Sequence, residues 1–416
     1  FDKQKNKIFI ARDWPGRIPL YYFYDSNRFI FSSELKAFRS IKNLSLQDPI
    51  ELKPGTYVEY DLTNKKLSHV EYFKPNNSLI NKSDEILSIG KNIHNLLDDS
   101  SKNRTMGDVP ICTMLSGGID SVLTTFYVFK NLDFKKIGYQ PTSYVFSVKG
   151  FNSPDVKKAR IARDSFKKSI DLKLVEVEAT KQEIVNDVPH IIESFEMRKL
   201  KALSFYPLPI YWYLAPRMQK DGFKVTIGGH GVDELLGAYD SWKELDKPHE
   251  VQIRSASRLF FINNIYNNML KRASIIFMNR GPIEARFPFL NPKVCEYLLS
   301  IDKKWLFLNN ESAHVMLNLI NMNKSPKLEK IYRNLEIFVN NPNKFNELPE
   351  SDIYDLKKIF WKLPLIVSSY IASKTSFLEF DQVFNPKLRG QHGAGITALE
   401  DDVVNKYSKL GNSDTE

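Results

Sequence analysis

The segment MLSGGIDS at residues 114–121 restricts the possible fold of this chain more than any other segment does. It directly follows the apolar segment VPICT and leads into a helical pattern, so its glycines lie in a strand-to-helix turn. Glycine lets the backbone approach an anion closely, and the N–H groups at a helix start point towards that anion. Ser116 and Ser121 add hydroxyl donors, whereas Asp120 fits beside a phosphate when a divalent cation lies between them. The segment predicts a phosphate-binding turn; an ordinary glycine-rich connection is the alternative.

A second glycine-rich string, IGGHGVDELLGAY at residues 227–239, also follows a strand pattern and precedes a helical one. Its carboxylate Asp233 occupies a position similar to that of Asp120 in the first turn. Two carboxylates together with two phosphate oxygens suit Mg²⁺. We therefore expect Asp120 and Asp233 to bind one metal ion, the alternative being a turn whose acids face water.

Strand patterns alternate with helical patterns from Val109 to about residue 240. This alternation is typical of an α/β fold with a parallel, doubly wound sheet, in which ligands bind at the carboxyl ends of the strands. Upstream, the chain carries short β-rich segments separated by turn signals, and its last part is mostly helical in pattern. The sequence predicts three parts, residues 1–76, 84–300 and 301–416.

The composition restricts partners and location. A net charge of +10 suits anionic partners such as nucleotides, pyrophosphate or nucleic acid, although a basic solvated surface explains it equally well. Cys112 and Cys295 lie in apolar segments and are predicted to be core residues, and two cysteines cannot build a cysteine-based zinc site. The sequence has neither an apolar run that would span a membrane nor a secretion signal, so we expect a cytoplasmic location and no membrane partner.

The glycine-rich strings resemble known sequence motifs. SGGIDS resembles the pyrophosphate loop of the ATP-pyrophosphatase superfamily, which cleaves ATP between its α- and β-phosphates. Taken with GGHGVDELLGAY, with EARFPFL at residues 284–290 and with the turn Ser153-Pro154-Asp155, it resembles the asparagine synthetase family. The front segments ARDWPGRIPLYY and FSSELKAF resemble the later part of that family's glutaminase domain. The resemblance implies an adenine nucleotide alpha hydrolase-like sheet, a partial N-terminal Ntn-type β-rich domain and a helical C-terminal extension.

The resemblance also implies a set of binding residues, with ATP and Mg²⁺ as cofactors. Pyrophosphate would be held by the first turn and the metal by the two aspartates, while the ends of two strands would line the adenosine pocket. In this chain the corresponding residues are Ser116, Gly117, Gly118 and Ser121 for pyrophosphate, Asp120 and Asp233 for the metal, Met114 and Val148 for adenosine, Gly229 near the ribose or the α-phosphate, and Asp155 for the shape of the pocket.

Three residues are candidate catalytic groups. Lys387 lies in PKLRGQHGAG, which resembles the family's lysine-containing loop, and a cation there would neutralise charge on the acyl-adenylate or on pyrophosphate. His230 stands where asparagine synthetases carry glutamate and β-lactam synthetases carry tyrosine, and a histidine can accept a proton from an attacking amine. Glu196 is a second candidate base. The alternatives are a surface lysine, a histidine that only hydrogen-bonds its loop, and a glutamate in a structural ion pair.

The sequence therefore predicts an amide-forming synthetase that adenylates a carboxylic acid, with aspartate or an analogue as substrate and ammonia or glutamine as nitrogen donor. The family's catalytic N-terminal cysteine lies upstream of the segments matched here, so the chain is either a piece of a longer protein or unable to hydrolyse glutamine. Amide ligases and cyclases of specialised metabolism, tRNA-modifying ATP pyrophosphatases and a non-enzymatic scaffold are the alternatives. A nucleic-acid partner is not expected, and a homodimer is left open.

Overall fold

The computed structural model describes residues 1–75, 85–133, 137–166, 170–195, 207–238, 258, 262, 265–266, 270–323 and 326–374. Its first part contains two antiparallel sheets of three strands. One has the order β1-β5-β6 and the other β3-β2-β4. Their strands are β1 Lys7–Ala11, β2 Tyr21–Tyr24, β3 Phe29–Ser32, β4 Ile50–Glu51, β5 Thr56–Asp61 and β6 Leu67–Glu71. Strand β5 buries every second residue, as expected for a strand with one face on a core.

A parallel sheet of five strands forms the centre of the molecule, and this part of the predicted fold class is confirmed. Strand β8 is buried along its whole length because helices cover both faces of such a sheet. The order is β11-β10-β7-β8-β9, and the strands are β7 Ile111–Met114, β8 Thr142–Val148, β9 Lys173–Ala179, β10 Val225–Ile227 and β11 Glu284–Arg286.

The order of the strands creates a switch point beside β7. The chain first builds outwards from β7 through β8 to β9, then returns to place β10 and β11 on the other side of β7. Connections from β7 and from β10 therefore leave the same edge in opposite directions. In open parallel sheets ligands bind in the crevice at such a point, which lies here at the carboxyl ends of β7 and β10.

Helices account for most of the remaining described residues. Those before β11 are α1 Ile86–Arg104, α2 Ile119–Lys130, α3 Pro154–Ser165, α4 Lys181–Phe195, α5 Leu208–Lys220, α6 Val232–Leu236 and α7 Lys271–Arg280. Those after it are α8 Pro292–Ser300, α9 Asn310–Asn323, α10 Glu329–Asn340, α11 Pro342–Asn346, α12 Glu350–Phe360 and α13 Leu363–Ser373. Within the described residues, no helix is both long and apolar enough to cross a membrane.

One hydrophobic core extends from α1 to the end of α13. Helix α13 packs closely on α1, since a Cβ atom on Gly90 would lie 2.5 Å from Cγ1 of Val367. The buried core is therefore continuous across residue 300. The predicted division into residues 1–76, 84–300 and 301–416 stays a prediction. The predicted Ntn-type identity of residues 1–76 stays a prediction, and the part of the predicted extension beyond residue 374 lies outside the described residues.

Candidate active site

The turn after β7 is held by its own side chains and by the neighbouring strand. The amide of Leu115 donates to the carbonyl of Tyr144 on β8 at 2.9 Å, which continues the sheet ladder into the turn. The hydroxyl of Ser121 donates to the carbonyl of Gly118 at 2.9 Å, and the amide of Ser116 donates to the same hydroxyl at 3.2 Å. The turn is therefore closed around the first residues of α2, whose N–H groups have no earlier helical carbonyl to bond.

Gly117 has a backbone conformation and a packing position that only glycine tolerates. Its φ angle is +76°. A Cβ atom at this position would lie 2.4 Å from the carbonyl carbon and from Cβ of Lys158 on α3. The sequence therefore needs glycine here both for the left-handed conformation and for the contact between turn and helix.

The turn after β10 packs directly against the first turn. A Cβ atom on Gly229 would lie 2.8 Å from the carbonyl carbon and oxygen of Asp120. Similarly, a Cβ atom on Gly228 would lie 2.5 Å from Cε of Met114 at the end of β7. Gly231, with φ +103°, turns the chain into α6. Gly229 thus lets the two turns approach each other closely, whereas the flexible side chain of Met114 could move away from a side chain at position 228.

The carboxylates of Asp120 and Asp233 converge on the ammonium group of Lys362. Nζ of Lys362 lies 2.5 Å from Oδ2 of Asp120 and 2.6 Å from Oδ1 of Asp233. The side chains are only 14% (Lys362), 18% (Asp120) and 14% (Asp233) exposed. Each aspartate is the second residue of its helix, α2 or α6, so both carboxylates sit beside helix N-termini at the switch point.

The two carboxylates keep Lys362 charged. Burial by itself lowers the pKa of an ammonium group, but the charges of Asp120 and Asp233 and their hydrogen bonds outweigh burial, so the pKa of Lys362 is raised above its ordinary value. The three side chains together carry one net negative charge. The ammonium group therefore neutralises half of the carboxylate charge that a metal ion at this site would meet.

Sequence reasoning missed Lys362, which is separated from Asp120 by 242 positions. The residue lies between α12 and α13, in the apolar segment FWKLPL. A lone lysine in such a segment is a weak signal that its charge has a buried partner, because lysine is rarely buried unpaired. The identity of that partner depends on how α13 packs, and local sequence carries no information about it.

The imidazole ring of His230 contacts two aromatic side chains beside the second turn. Its Nε2 atom lies 2.8 Å from the hydroxyl oxygen of Tyr211 on α5, and its ring packs edge-on against Phe287 with 4.8 Å between the centroids. Tyr211 was also absent from the predicted site. The hydrogen bond fixes the orientation of the imidazole ring. Nε2–H donates to the phenol oxygen in one tautomer, and Nε2 accepts from the phenol O–H in the other.

Several predicted binding residues end neighbouring strands or begin the next helix. Met114 ends β7 and Val148 ends β8, so both lie at the carboxyl edge of the sheet. Asp155 is the second residue of α3, the helix against which Gly117 packs. Their roles towards adenosine remain predictions. The candidate catalytic residues Glu196 and Lys387 lie outside the described residues.

The described residues contain no cluster of three or more His, Cys, Asp or Glu side chains that would hold a metal by themselves. A metal shared by Asp120 and Asp233 therefore needs further oxygen ligands, for which a phosphate is suited. Both cysteines are buried, as predicted, and burial raises the pKa of the Cys112 and Cys295 thiols.

Comparison with known proteins gives two family matches. Residues 92–258 match the family described as asparagine synthase, and residues 1–40 match the family described as glutamine amidotransferase domain. A probable glutamine-hydrolysing asparagine synthetase of Acanthamoeba polyphaga mimivirus is 28% identical over 336 residues, covering 74% of this chain and 56% of the relative. Asparagine synthetase B of Escherichia coli is 26% identical over 317 residues, covering 73% and 52%. The chain thus spans about half the length of these curated relatives.

Proposed function

We propose that the chain is an ATP-dependent, AMP-forming carbon–nitrogen ligase, because the matches confirm its resemblance to the asparagine synthetase family. It would activate a carboxylic acid as its acyl-adenylate and convert the adenylate to an amide. One observation carries the proposal: two glycine-rich turns at neighbouring strand ends bring Asp120 and Asp233 to the same cation. Such a pair of carboxylates beside an anion-binding turn suits a metal-bound triphosphate.

In the first step, a carboxylate oxygen of the substrate attacks the α-phosphorus of ATP. The bond from that phosphorus to the bridging oxygen breaks, and pyrophosphate leaves. The turn at Ser116, Gly117 and Gly118 would hold the departing pyrophosphate through backbone N–H groups and hydroxyl groups, assisted by Ser121. Gly117 supports this role because its missing side chain lets the turn lie flat against α3.

The aspartate pair fits Mg²⁺ by its chemistry. Two carboxylate oxygens already share one cation, and hard oxygen ligands of this kind are those that Mg²⁺ prefers. When bound, Mg²⁺ would neutralise charge that builds up on the phosphates. Asp120 and Asp233 would hold it, and phosphate oxygens would complete its ligand set.

In the second step, a nitrogen nucleophile attacks the acyl carbon of the adenylate, and AMP leaves. The nucleophile loses a proton as the carbon–nitrogen bond forms. His230 would accept that proton, and Tyr211, 2.8 Å from its Nε2 atom, would hold the ring in position. Glu196 and Lys387 remain proposed as a second base and as the cation on the acyl-adenylate.

Aspartate is the proposed acid, because the named relatives are asparagine synthetases. Ammonia or glutamine is the proposed nitrogen donor, and the match of residues 1–40 to a glutamine amidotransferase domain supports a link to glutamine. His230, which replaces the glutamate expected at this position, supports a second candidate: an amide ligase or cyclase that uses a substrate amine.

The proposal is tested by incubating the chain with ATP, Mg²⁺ and aspartate, with ammonia as nitrogen donor, and measuring AMP, pyrophosphate and asparagine. We expect equal amounts of all three. Asp120→Asn should lower pyrophosphate release by about 100-fold, whereas the same change at the exposed Asp108 should leave it unaltered. Release of ADP instead of AMP, or no nucleotide cleavage with any carboxylic acid tested, would refute the proposed reaction class.

The role of His230 is tested by separating the two chemical steps. His230→Gln should leave the acid-dependent exchange of labelled pyrophosphate into ATP within about threefold, because exchange needs only the first step. Amide formation should fall by about 100-fold or more, the usual contribution of a general base. Equal loss of both activities would instead make His230 a structural part of the second turn.

A further inference from the structure

Lys362 lies where a metal shared by Asp120 and Asp233 would bind. Its ammonium nitrogen is within 2.6 Å of an oxygen of each carboxylate, and its side chain is 14% exposed. The lone pairs that accept the ammonium protons are therefore the same lone pairs that would ligate Mg²⁺. A lysine held in this way does more than balance charge, because it occupies the position of the metal.

The backbone of Lys362 is fixed on both sides. Its amide donates to the carbonyl of Ile359 at 3.2 Å, and its carbonyl accepts from the amides of Leu365 and Ile366, each at 3.0 Å. The leucines on either side of Pro364, Leu363 and Leu365, are completely buried in the core. The start of α13 therefore cannot withdraw without disrupting the core. Only the flexible side chain of Lys362 can leave the carboxylates.

Two cations cannot both bind these carboxylate oxygens without weakening each other's binding. Mg²⁺ between Asp120 and Asp233 would lie next to the ammonium group, and the like charges would repel in a site that is largely shielded from water. The ammonium group leaves the carboxylates at low cost only when another anion accepts it. A phosphate bound by the neighbouring turn is such an anion, because lysine binds phosphates readily as a point charge.

We propose that Lys362 is a built-in competitor of the metal, which keeps Asp120 and Asp233 paired until a nucleotide arrives and then exchanges the carboxylates for phosphate oxygens. This inference rests on the proposed function, because it takes the two aspartates as the metal-binding pair. Metal binding and nucleotide binding then depend on each other. The nucleotide draws the ammonium group away from the carboxylates and so favours the metal, and by linkage the metal favours the nucleotide to the same extent. The free protein consequently binds divalent metal weakly.

The test measures metal binding without nucleotide. Mn²⁺ serves as the probe, and the fraction of free Mn²⁺ is followed by electron paramagnetic resonance during titration of the whole chain. Lys362→Met removes the charge and keeps an unbranched side chain that is one atom shorter. We expect this variant to bind one Mn²⁺ about tenfold or more tightly than the unchanged protein. Lys362→Arg keeps the charge and should show no such gain.

A second substitution identifies the site. In the Lys362→Met background, Asp120→Asn or Asp233→Asn should abolish the added affinity. If Lys362→Met binds Mn²⁺ no more tightly than the unchanged protein, or if the gain survives loss of either aspartate, the proposal is overturned. Should Lys362→Met fail to fold, as judged by circular dichroism, Lys362→Gln carries the same test, because its amide is uncharged and can still donate to a carboxylate.

The titration contains neither nucleotide nor acid substrate, so its outcome does not depend on whether the chain forms an amide. A tenfold gain in Mn²⁺ affinity together with no AMP formation would support the proposed role of Lys362 as a competitor of the metal and refute the proposed reaction. No gain together with normal AMP formation would refute the competitor and leave the reaction intact.

Discussion

Gly117 combines two constraints that are usually separate. Its φ angle of +76° is costly for a residue with a side chain, and its missing Cβ atom leaves room for the backbone of α3 at Lys158. The turn can therefore lie against α3 at a distance that no residue with a side chain would allow. The two constraints can be separated by comparison with Gly150, which has a φ of +83° but open space around it.

We predict that Gly117→Ala is more damaging than Gly150→Ala. Both variants incur about 1–2 kcal/mol for the left-handed conformation, and Gly117→Ala adds about 1–3 kcal/mol because the new methyl group overlaps α3. Displacement of the turn should also lower pyrophosphate release by about 100-fold. Urea unfolding and the pyrophosphate assay check both effects. Equal stability and equal activity of the two variants would contradict the packing role of Gly117.

At the scale of elements, helix α1 connects the site to the rest of the core. It packs against α2, which carries Asp120, and against α13, which follows Lys362. On the α2 side, Nδ1 of His94 lies 2.8 Å from the hydroxyl oxygen of Tyr127. On the α13 side, Gly90 lets Val367 approach the backbone of α1. These two contacts can be tested independently of catalysis.

The burial of His94 between α1 and α2 predicts a pH-dependent stability. Burial, with a smaller contribution from Lys130 and against the opposing charge of Asp98, lowers the pKa of His94 from its ordinary value of 6.5. Between the lowered pKa and 6.5, the unfolded chain binds more protons than the folded chain does. The free energy of unfolding therefore increases as pH rises through this range and decreases as pH falls through it.

Urea unfolding at several pH values between 5 and 8 measures this dependence. His94→Gln, which cannot titrate, should show a flatter dependence between pH 5 and 6.5 and an unchanged one above pH 7. If the free energy of unfolding changed with pH equally in both proteins, His94 would not be the group responsible for the pH dependence.

The contact between α1 and α13 predicts an unusual effect of alanine. In an exposed helix position Gly→Ala stabilises by about 1 kcal/mol, but Gly90→Ala should destabilise by about 1–3 kcal/mol, because the methyl group overlaps Val367. The double change Gly90→Ala with Val367→Ala should recover part of this loss. Ser88→Ala, at an exposed position of the same helix, is the control. Stabilisation by Gly90→Ala alone would contradict close packing here.

At the scale of the whole molecule, the first part of the chain is tied to the edge of the central sheet. Nη1 of Arg17 lies 3.3 Å from the carbonyl oxygen of Ala285 on the edge strand β11. Nζ of Lys271 on α7 lies 3.3 Å from Glu51 of β4. The first contact occupies a carbonyl of the edge strand, and the second links the first part of the chain to α7.

Arg12 is the centre of this connection. Its guanidinium group donates to the carbonyl oxygens of Ile18, Leu52 and Gly16 and to Glu51, and it lies over the ring of Tyr266 at 5.0 Å. Its side chain is 1% exposed. A buried arginine with so many acceptors organises the surrounding loops, because it satisfies several carbonyl groups and a carboxylate at once.

We predict that Arg12→Met destabilises the first part of the chain by about 3 kcal/mol or more, since several buried acceptors lose their donor. Arg28→Met is the matched control: its side chain is 36% exposed and pairs with Asp25, so the loss should stay below about 1 kcal/mol. Hydrogen exchange of the amides in residues 1–75 checks the location of the effect. Comparable losses in the two variants would contradict a central role for Arg12.

The sequence by itself determined that the central strands from β7 to β10 are parallel and what the two turns contain, but it predicted neither strand β11 nor the order of the sheet. Strand patterns of buried apolar residues, each followed by glycines and a helical pattern, specify parallel strands, and the strings SGGIDS and GGHGVD specify turns with a carboxylate in the first turn of a helix. These features are local, since they depend on hydrophobic periodicity and on glycine's backbone freedom. Local signals were therefore sufficient to predict that Asp120 and Asp233 share one site.

Only the tertiary structure decided which groups complete that site. Lys362 reaches the aspartates because α13 packs on α1, and Tyr211 reaches His230 because α5 runs beside the second turn. Neither contact has a local signature, since an ammonium group or a phenol finds its partner through the packing of distant helices. The type of each turn can thus be predicted from a few consecutive residues. Which cation lies between the carboxylates of the two turns depends on the packing of the whole core.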